Sequence, residues 1–379
     1  MHGRLAAWGL LLVGALVLGC AAPAAPPATA LPAAATPAPG RAAAAPSAAP
    51  ATAAAGPTVV AVPSPPASPE TVRIAHVPST LFAPLYVAID KGYLQEEGIT
   101  PQLEVVTAGQ DAMVLAAQGQ LDTVVGGFGA ATFNAIDRGL EIRVVGSMGA
   151  QPQSGFPSAL MVRKDLLDDG EVKAVGDLKG RKVALAGGAG STGSYWIATK
   201  LREAGLTLRD IDVVNMGFPD MVAAFKASAI DAALPPAPFT TQIIRDGTAD
   251  NFGGPIRPGA SAVGLVYGTA FMRDHDPTAR RMFVALVRGA RDVQGDAYYS
   301  DANLDIFAKY TRLPVDTLRN IDRYDFDPDM RPDVETLMDM QHIFQEAGII
   351  VYGQPLPPDR VADESYSRSA VAALGPYRP

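Results

Sequence analysis

One cysteine, Cys20, in a chain of 379 residues excludes a disulfide framework and any metal site built on clustered thiolates. Histidine is almost as scarce: His2, His76, His275 and His342 are scattered, with no pair at metal-ligand spacing. Charged side chains make up only 18% of the sequence, and 31 basic residues against 39 acidic ones leave a net charge of −8. That acidity sets aside nucleic acid and anionic lipid surfaces as the main partners. The lack of a strict repeat excludes collagen-like and coiled-coil architectures. What is plentiful is apolar: a hydrophobic fraction of 48% permits a large buried core, and the length suggests about two domains.

Residues 1–19 read as a signal peptide rather than as part of a fold. Arg4 supplies a positive start, and Leu5 to Leu18 form an apolar stretch too short for a comfortable permanent span. The run Leu16-Val17-Leu18-Gly19-Cys20 resembles a bacterial lipoprotein cleavage and acylation signal. The resemblance implies cleavage before Cys20 and lipidation of that cysteine, so the chain would be membrane-anchored and face the periplasm or the outside of the cell. An ordinary secretory signal is the plainer alternative. From residue 20 to 69 the composition cannot build a core: Ala and Pro fill 35 of the 49 positions from Ala21 to Pro69, and Arg41 is the only charge. This segment is expected to be a disordered, semi-extended tether.

From Thr71 onward short apolar runs alternate with amphipathic stretches. Strands are expected near 72–77, 103–106, 122–125 and 142–145, with helices near 84–92, 111–119 and 130–138 between them. The pattern restarts with strands near 159–163, 182–186, 212–216 and 230–234 and helices near 194–204 and 219–227. After a strand at 262–267 the remainder reads as mainly helical, beginning with 277–293. Alternation of this kind implies parallel sheets with helices on both faces. Two such units suggest two lobes around a cleft, one discontinuous (70–158 and 265–379) and one continuous (159–264). Ligands of open α/β sheets bind at the carboxyl ends of the strands.

Several stretches match a known family. Ala83-Pro84-Leu85-Tyr86-Val87-Ala88-Ile89-Asp90-Lys91-Gly92-Tyr93-Leu94 with Glu97-Gly98-Ile99 resembles the opening of the nitrate/sulfonate/taurine and thiamine-precursor substrate-binding proteins, the SsuA/THI5-like (NMT1) group. Gly119-Gln120-Leu121-Asp122 and Ser228-Ala229-Ile230-Asp231-Ala232-Ala233 resemble its repeated turns, and Asp177-Leu178-Lys179-Gly180-Arg181-Lys182-Val183-Ala184 its second-lobe opening. The resemblance implies an α/β fold of the periplasmic-binding-protein type II class: two lobes, a two-strand hinge and a ligand cleft. It also implies a monomer that captures a small organic solute and hands it to an ABC permease driven by a cytoplasmic ATPase, with no cofactor and no metal.

Strand ends and helix starts nominate the ligand-binding residues. In the first lobe these are His76, Ser79, Thr80, Phe82, Gly127, Phe128, Gly129 and Thr132. In the second they are Gly188, Ser191, Thr192, Tyr195, Asp220 and the stretch from Pro235 to Phe239, with Tyr267 near the return crossing. The glycine run from Gly187 to Gly193 lets backbone N–H groups approach a ligand, and Ser191 and Thr192 add hydroxyl donors at a helix start, so a carboxylate, sulfonate or phosphate is expected to fit. A strand-to-helix turn that needs glycine for its geometry alone is the plainer alternative. Phe82, Phe128, Tyr195, Phe239 and Tyr267 would wall an organic or heteroaromatic ligand, or else pack in the core. Many members of the resembled family hold an anion with a basic side chain, but none of these loops contains Arg or Lys, which sets nitrate aside.

Gly188-x-Gly190-x-x-Gly193 also fits a dinucleotide fingerprint, but Asp212 begins the next strand rather than ending it. A P-loop fails because no Gly-Lys-Ser/Thr follows. Enzymes on this fold related to the thiamine-precursor binders need a cysteine-rich segment, and no cysteine follows Cys20. No Ser/His/Asp arrangement or paired catalytic carboxylates can be placed either, so no catalytic residue is assigned. A ligand-sensing lipoprotein acting through a membrane partner is a further alternative.

Overall fold

The computed structural model describes residues 59–106 and 109–379. The expected signal peptide 1–19, the lipidation expected at Cys20, and the expected tether as far as residue 58 lie outside the described residues. Residues 59–69 carry no helix or strand, and Val62 packs against the core beside the first sheet.

Ten strands are described: β1 (Glu70–His76), β2 (Ile99–Val105), β3 (Thr123–Gly127), β4 (Ile142–Ser147), β5 (Met161–Arg163), β6 (Lys182–Leu185), β7 (Asp212–Asn215), β8 (Ala232–Ala233), β9 (Ala249–Asn251) and β10 (Val263–Gly268). They form two five-stranded sheets, ordered β2-β1-β3-β10-β4 and β7-β6-β8-β5-β9. Strand side chains alternate between faces, and in the first sheet both faces are covered. Ile74 and Val125 pack with helices Ala83–Asp90 and Asp276–Arg291. Their neighbours Ala75 and Val124 pack with helices Gly109–Ala117 and Ala130–Asp137. Strand β10, between β3 and β4, is buried along its whole length, as its apolar run Val263-Gly264-Leu265-Val266-Tyr267 requires.

Both sheets are mixed, where the alternation predicts parallel ones. β10 runs antiparallel to β3 and β4, and β5 runs antiparallel to β8 and β9. The cause is the chain path. β4 leaves the first sheet at its carboxyl end, so the chain enters the second sheet from the side where β6 and β8 finish. β10 makes the same entrance in return. The two crossing segments, 148–160 and 252–262, pair with each other: Gln151 N–H donates to the Ala260 carbonyl (2.9 Å) and Gly259 N–H to the Gln151 carbonyl (2.7 Å).

Strand β9 is not legible in the pattern, being three residues long. The C-terminal third is helical as expected, but helix Val334–Glu346 does not stay beside the first sheet. It packs on Ala130–Asp137 and also on Thr192–Glu203, a helix of the second unit. Through Leu337, Met340 and Phe344 it joins Phe133 and Trp196 in one continuous core.

Candidate ligand-binding cleft

A cavity of about 550 Å³ lies between the two sheets, where β1, β3, β6 and β8 end. From the first sheet, the chain leaving β1 supplies Val77 to Phe82. Ser79 caps the short turn Thr80–Phe82 by accepting from the Leu81 N–H (3.3 Å), which holds Thr80 and Phe82 at the wall. Gly127 ends β3. From the second sheet come Ala186 and Gly187 after β6, and Leu234 with Pro236 to Phe239 after β8. Ser191, Thr192, Gly193 and Trp196 come from the start of helix Thr192–Glu203. The crossing segments close the base with Gly149, Gln151 and Ser158. Thr311, Leu313 and Tyr324 complete it from the C-terminal third.

Of the residues nominated from the sequence, Ser79, Thr80, Phe82, Gly127, Ser191, Thr192 and the stretch from Pro236 to Phe239 are brought together on this lining. The others stand elsewhere. His76 is buried behind the wall, its Nδ1 3.1 Å from the Tyr86 hydroxyl, and burial lowers its pKa against a backbone hydrogen bond at Val77 that raises it. Phe128 turns its ring into the core, though its carbonyl faces the second lobe. Gly129 and Thr132 are buried at the start of helix Ala130–Asp137, the Thr132 hydroxyl without a partner among the described residues. Gly188 sits in the turn before the cavity and its carbonyl accepts from the Ser191 hydroxyl (2.8 Å). Asp220 is exposed in the first turn of helix Phe218–Lys226.

Tyr195, Pro235 and Tyr267 are buried away from the lining. Tyr195 is one residue off in helical phase, so Trp196 reaches the cavity instead while the Tyr195 hydroxyl donates to Asp339 (3.0 Å). Of the nominated stretch Pro235 to Phe239, all but Pro235 line the cavity. Tyr267 donates to the Ala279 carbonyl (3.0 Å) and packs edge-on against Phe271 and Tyr366. Gln151, Ser158, Trp196, Phe218 and Tyr324 are lining residues that strand-end reasoning missed. The crossing segments and the C-terminal third carry no strand–helix boundary to mark them. Phe218 could have been found, as it opens the helix in which Asp220 was chosen.

The glycine run differs from the anion cradle expected of it. Gly187 and Gly188 take φ of 83° and 70°, so glycine is needed for the turn itself. Ser191 accepts from the Ser194 N–H and donates to Gly188, spending its hydroxyl as a helix cap. Thr192 donates across the cleft to the Phe128 carbonyl at 2.6 Å. The Thr192 and Gly193 amides remain as donors at the helix start. Opposite Thr192 stands Gly127, where a Cβ would come within 2.5 Å of the Thr192 Oγ1, so the lobes meet here without room for a side chain.

The described lining carries no formal charge. Among the described residues that line the cavity, none is Asp, Glu, Lys, Arg or His. Tyr324 is pushed up to about 12 by burial, against the opposing effect of its 2.8 Å hydrogen bond with Ser158. Among the described residues no group of three or more His, Cys, Asp or Glu side chains could hold a metal ion. No described helix is long and apolar enough to cross a membrane.

Charge is gathered instead on helix Val334–Glu346, where it meets the second lobe. Asp339 is bonded by Arg202 (2.9 Å), Arg257 and Tyr195, and Arg257 also pairs with Glu335 (3.1 Å). Burial alone would raise the Asp339 carboxyl, but the hydrogen bond from Arg202 and the charges of Arg257 and Arg202 outweigh it and hold the pKa below its ordinary value.

Residues 79–296, which hold most of the cleft and both crossing segments, match the model of the family described as NMT1/THI5 like. The chain belongs to that family. Over 178 residues it is 28% identical to the riboflavin-binding protein RibY of Chloroflexus aurantiacus, covering 45% of this chain and 47% of the relative. The chain thus spans about half the length of the curated relatives it matches. Two solved structures share the fold at lower identity. The alkanesulfonate-binding protein SsuA from Xanthomonas axonopodis pv. citri, bound to MOPS, is 18% identical with a TM-score of 0.59 over 76% of this chain and 96% of that one. The zinc-bound ligand-binding component of an ABC-type import system from Staphylococcus aureus is 14% identical with a TM-score of 0.63 over 79% and 99%. The architecture is that of the periplasmic-binding-protein type II class.

Proposed function

We propose that this family member is the solute-binding component of an ABC-type import system. It captures a small organic solute between its lobes and delivers it to a membrane permease. The observation that carries the reading is the interlobe cavity at the strand ends, its described lining free of ionic side chains, bounded at its base by two paired crossing segments. A cleft of about 550 Å³ falls within the roughly 300–1,000 Å³ of small-molecule sites. The crossing segments let the lobes part and meet, and the Thr192-to-Phe128 bond is a contact the closed form makes. The candidate residues on the lining are its solute contacts, and no group there is assigned to catalysis. The lobes are taken as 70–158 with 265–379, and 159–264. Lipidation at Cys20 and the Ala/Pro tether would hold the receptor beside its permease on the periplasmic or outer face. A relative named for riboflavin binding and a neighbour bound to MOPS agree with an organic cargo.

The test is thermal unfolding of the full chain with sulfonates, taurine, nitrate, aminopyrimidines, riboflavin and aromatic acids. A true solute at 100 times its Kd stabilises the folded state by about 2.7 kcal/mol. An unmoved midpoint across the panel would count against the reading.

A further inference from the structure

Among the lining side chains, Gln151 alone offers the cleft a carboxamide, with both a donor and an acceptor. Gln151 lies on the crossing segment at the cavity base and is only 5% exposed. Its backbone N–H and carbonyl are spent on the partner crossing segment. Its carboxamide has no hydrogen-bond partner among the described residues, while the nearby Ser158 and Tyr324 hydroxyls bond each other at 2.8 Å. Its amide atoms open to the cavity rather than being sealed in the core, so a ligand there can take the hydrogen bonds that water would otherwise make. A carboxamide offers one acceptor and an adjacent donor. Its planar complement is a lactam edge, an N–H beside a C=O.

The rest of the wall narrows the class further. Trp196, Phe218 and Phe239 face the cavity from the second lobe, and Phe82 and Tyr324 from the first. Rings on both sides suit a flat ring between them. No ionic side chain lines the space among the described residues, so an enclosed ion would lose its water for no full counter-charge, only the Thr192 and Gly193 amides. Building on the receptor reading, we infer that the solute is an uncharged, planar nitrogen heterocycle whose lactam edge is read by Gln151.

The experiment is calorimetric titration of the full chain with four probes: lumichrome, lumichrome methylated at both of its ring N–H nitrogens, 2-naphthalenesulfonate and taurine. Lumichrome is expected to bind, its methylated form at least about tenfold more weakly, and the two sulfonates not to bind. Gln151→Leu should weaken lumichrome to the level of the methylated ring while leaving the methylated ring unchanged. The probe comparison on the unaltered chain stands even where that variant folds poorly. Equal binding of the two lumichromes, or no binding of lumichrome, overturns the inference. If a sulfonate then binds, the receptor reading survives while the lactam assignment falls. If none of the four binds, the lactam assignment falls and the receptor reading rests on the thermal panel.

Discussion

At the residue scale, recognition turns on which neighbour faces the cleft. Strand ends and helix starts are legible in a sequence because apolar periodicity marks them, and so Ser79, Thr80, Gly127 and Phe239 were within reach. The phase inside a helix or loop is not marked to one residue, which is why Tyr195 stands in the core and Trp196 on the wall. Gln151 was out of reach because it belongs to a crossing segment with no periodicity. Gly127 carries the sharpest prediction. In Gly127→Ala the new Cβ crowds the Thr192 hydroxyl, and overpacking of this kind costs about 1–3 kcal/mol. The cost falls on the closed form alone, so solute affinity should drop about tenfold or more by titration while the solute-free melting midpoint barely moves. An equal loss in both would place the crowding elsewhere. Thr192→Val, which removes the 2.6 Å bond to Phe128, should weaken solute binding less, by about 1 kcal/mol.

At the element scale, strands and helices from 72 to 234 followed from alternating apolar runs, and their order was legible. The direction of β5 and β10 was not, because direction depends on which edge of a sheet the chain enters. Nor was the reach of helix Val334–Glu346, which is set by tertiary packing and an ion cluster rather than by local pattern. That cluster makes a pH prediction. The Asp339 carboxyl has a folded-state pKa below its unfolded one, so its stabilisation is present above the unfolded value and is lost as pH falls through the folded value. Asp339→Asn should lower stability by about 2 kcal/mol at pH 7, between the values for exposed and buried pairs. Denaturant melts across acid pH should show the gap between parent and variant closing below the ordinary carboxylate range. A gap that persists there would mean that the carboxylate's charge is not the source.

At the scale of the whole molecule, the two lobes share an interior. Phe133 of the first, Trp196 of the second and Phe344 of the bridging helix pack in one core. Lobes joined in this way should unfold together, so calorimetry should find one transition, and two separated transitions would contradict a shared core. Opening must therefore part the lobes on the side of Thr192 and Phe128, leaving the bridged side in place. The central claim is that a solute binds inside this cleft, and Trp196 on the lining reports it directly. The decisive measurement is tryptophan emission of the full chain carrying Trp8→Phe, which leaves Trp196 as its sole tryptophan, titrated with riboflavin and the neutral heterocycles. The account predicts a saturable change at one solute per chain, abolished in Phe239→Asp, which sets a charge in the neutral wall. A solute that binds at one per chain by dialysis yet leaves Trp196 emission unchanged, or binds Phe239→Asp equally well, would contradict it.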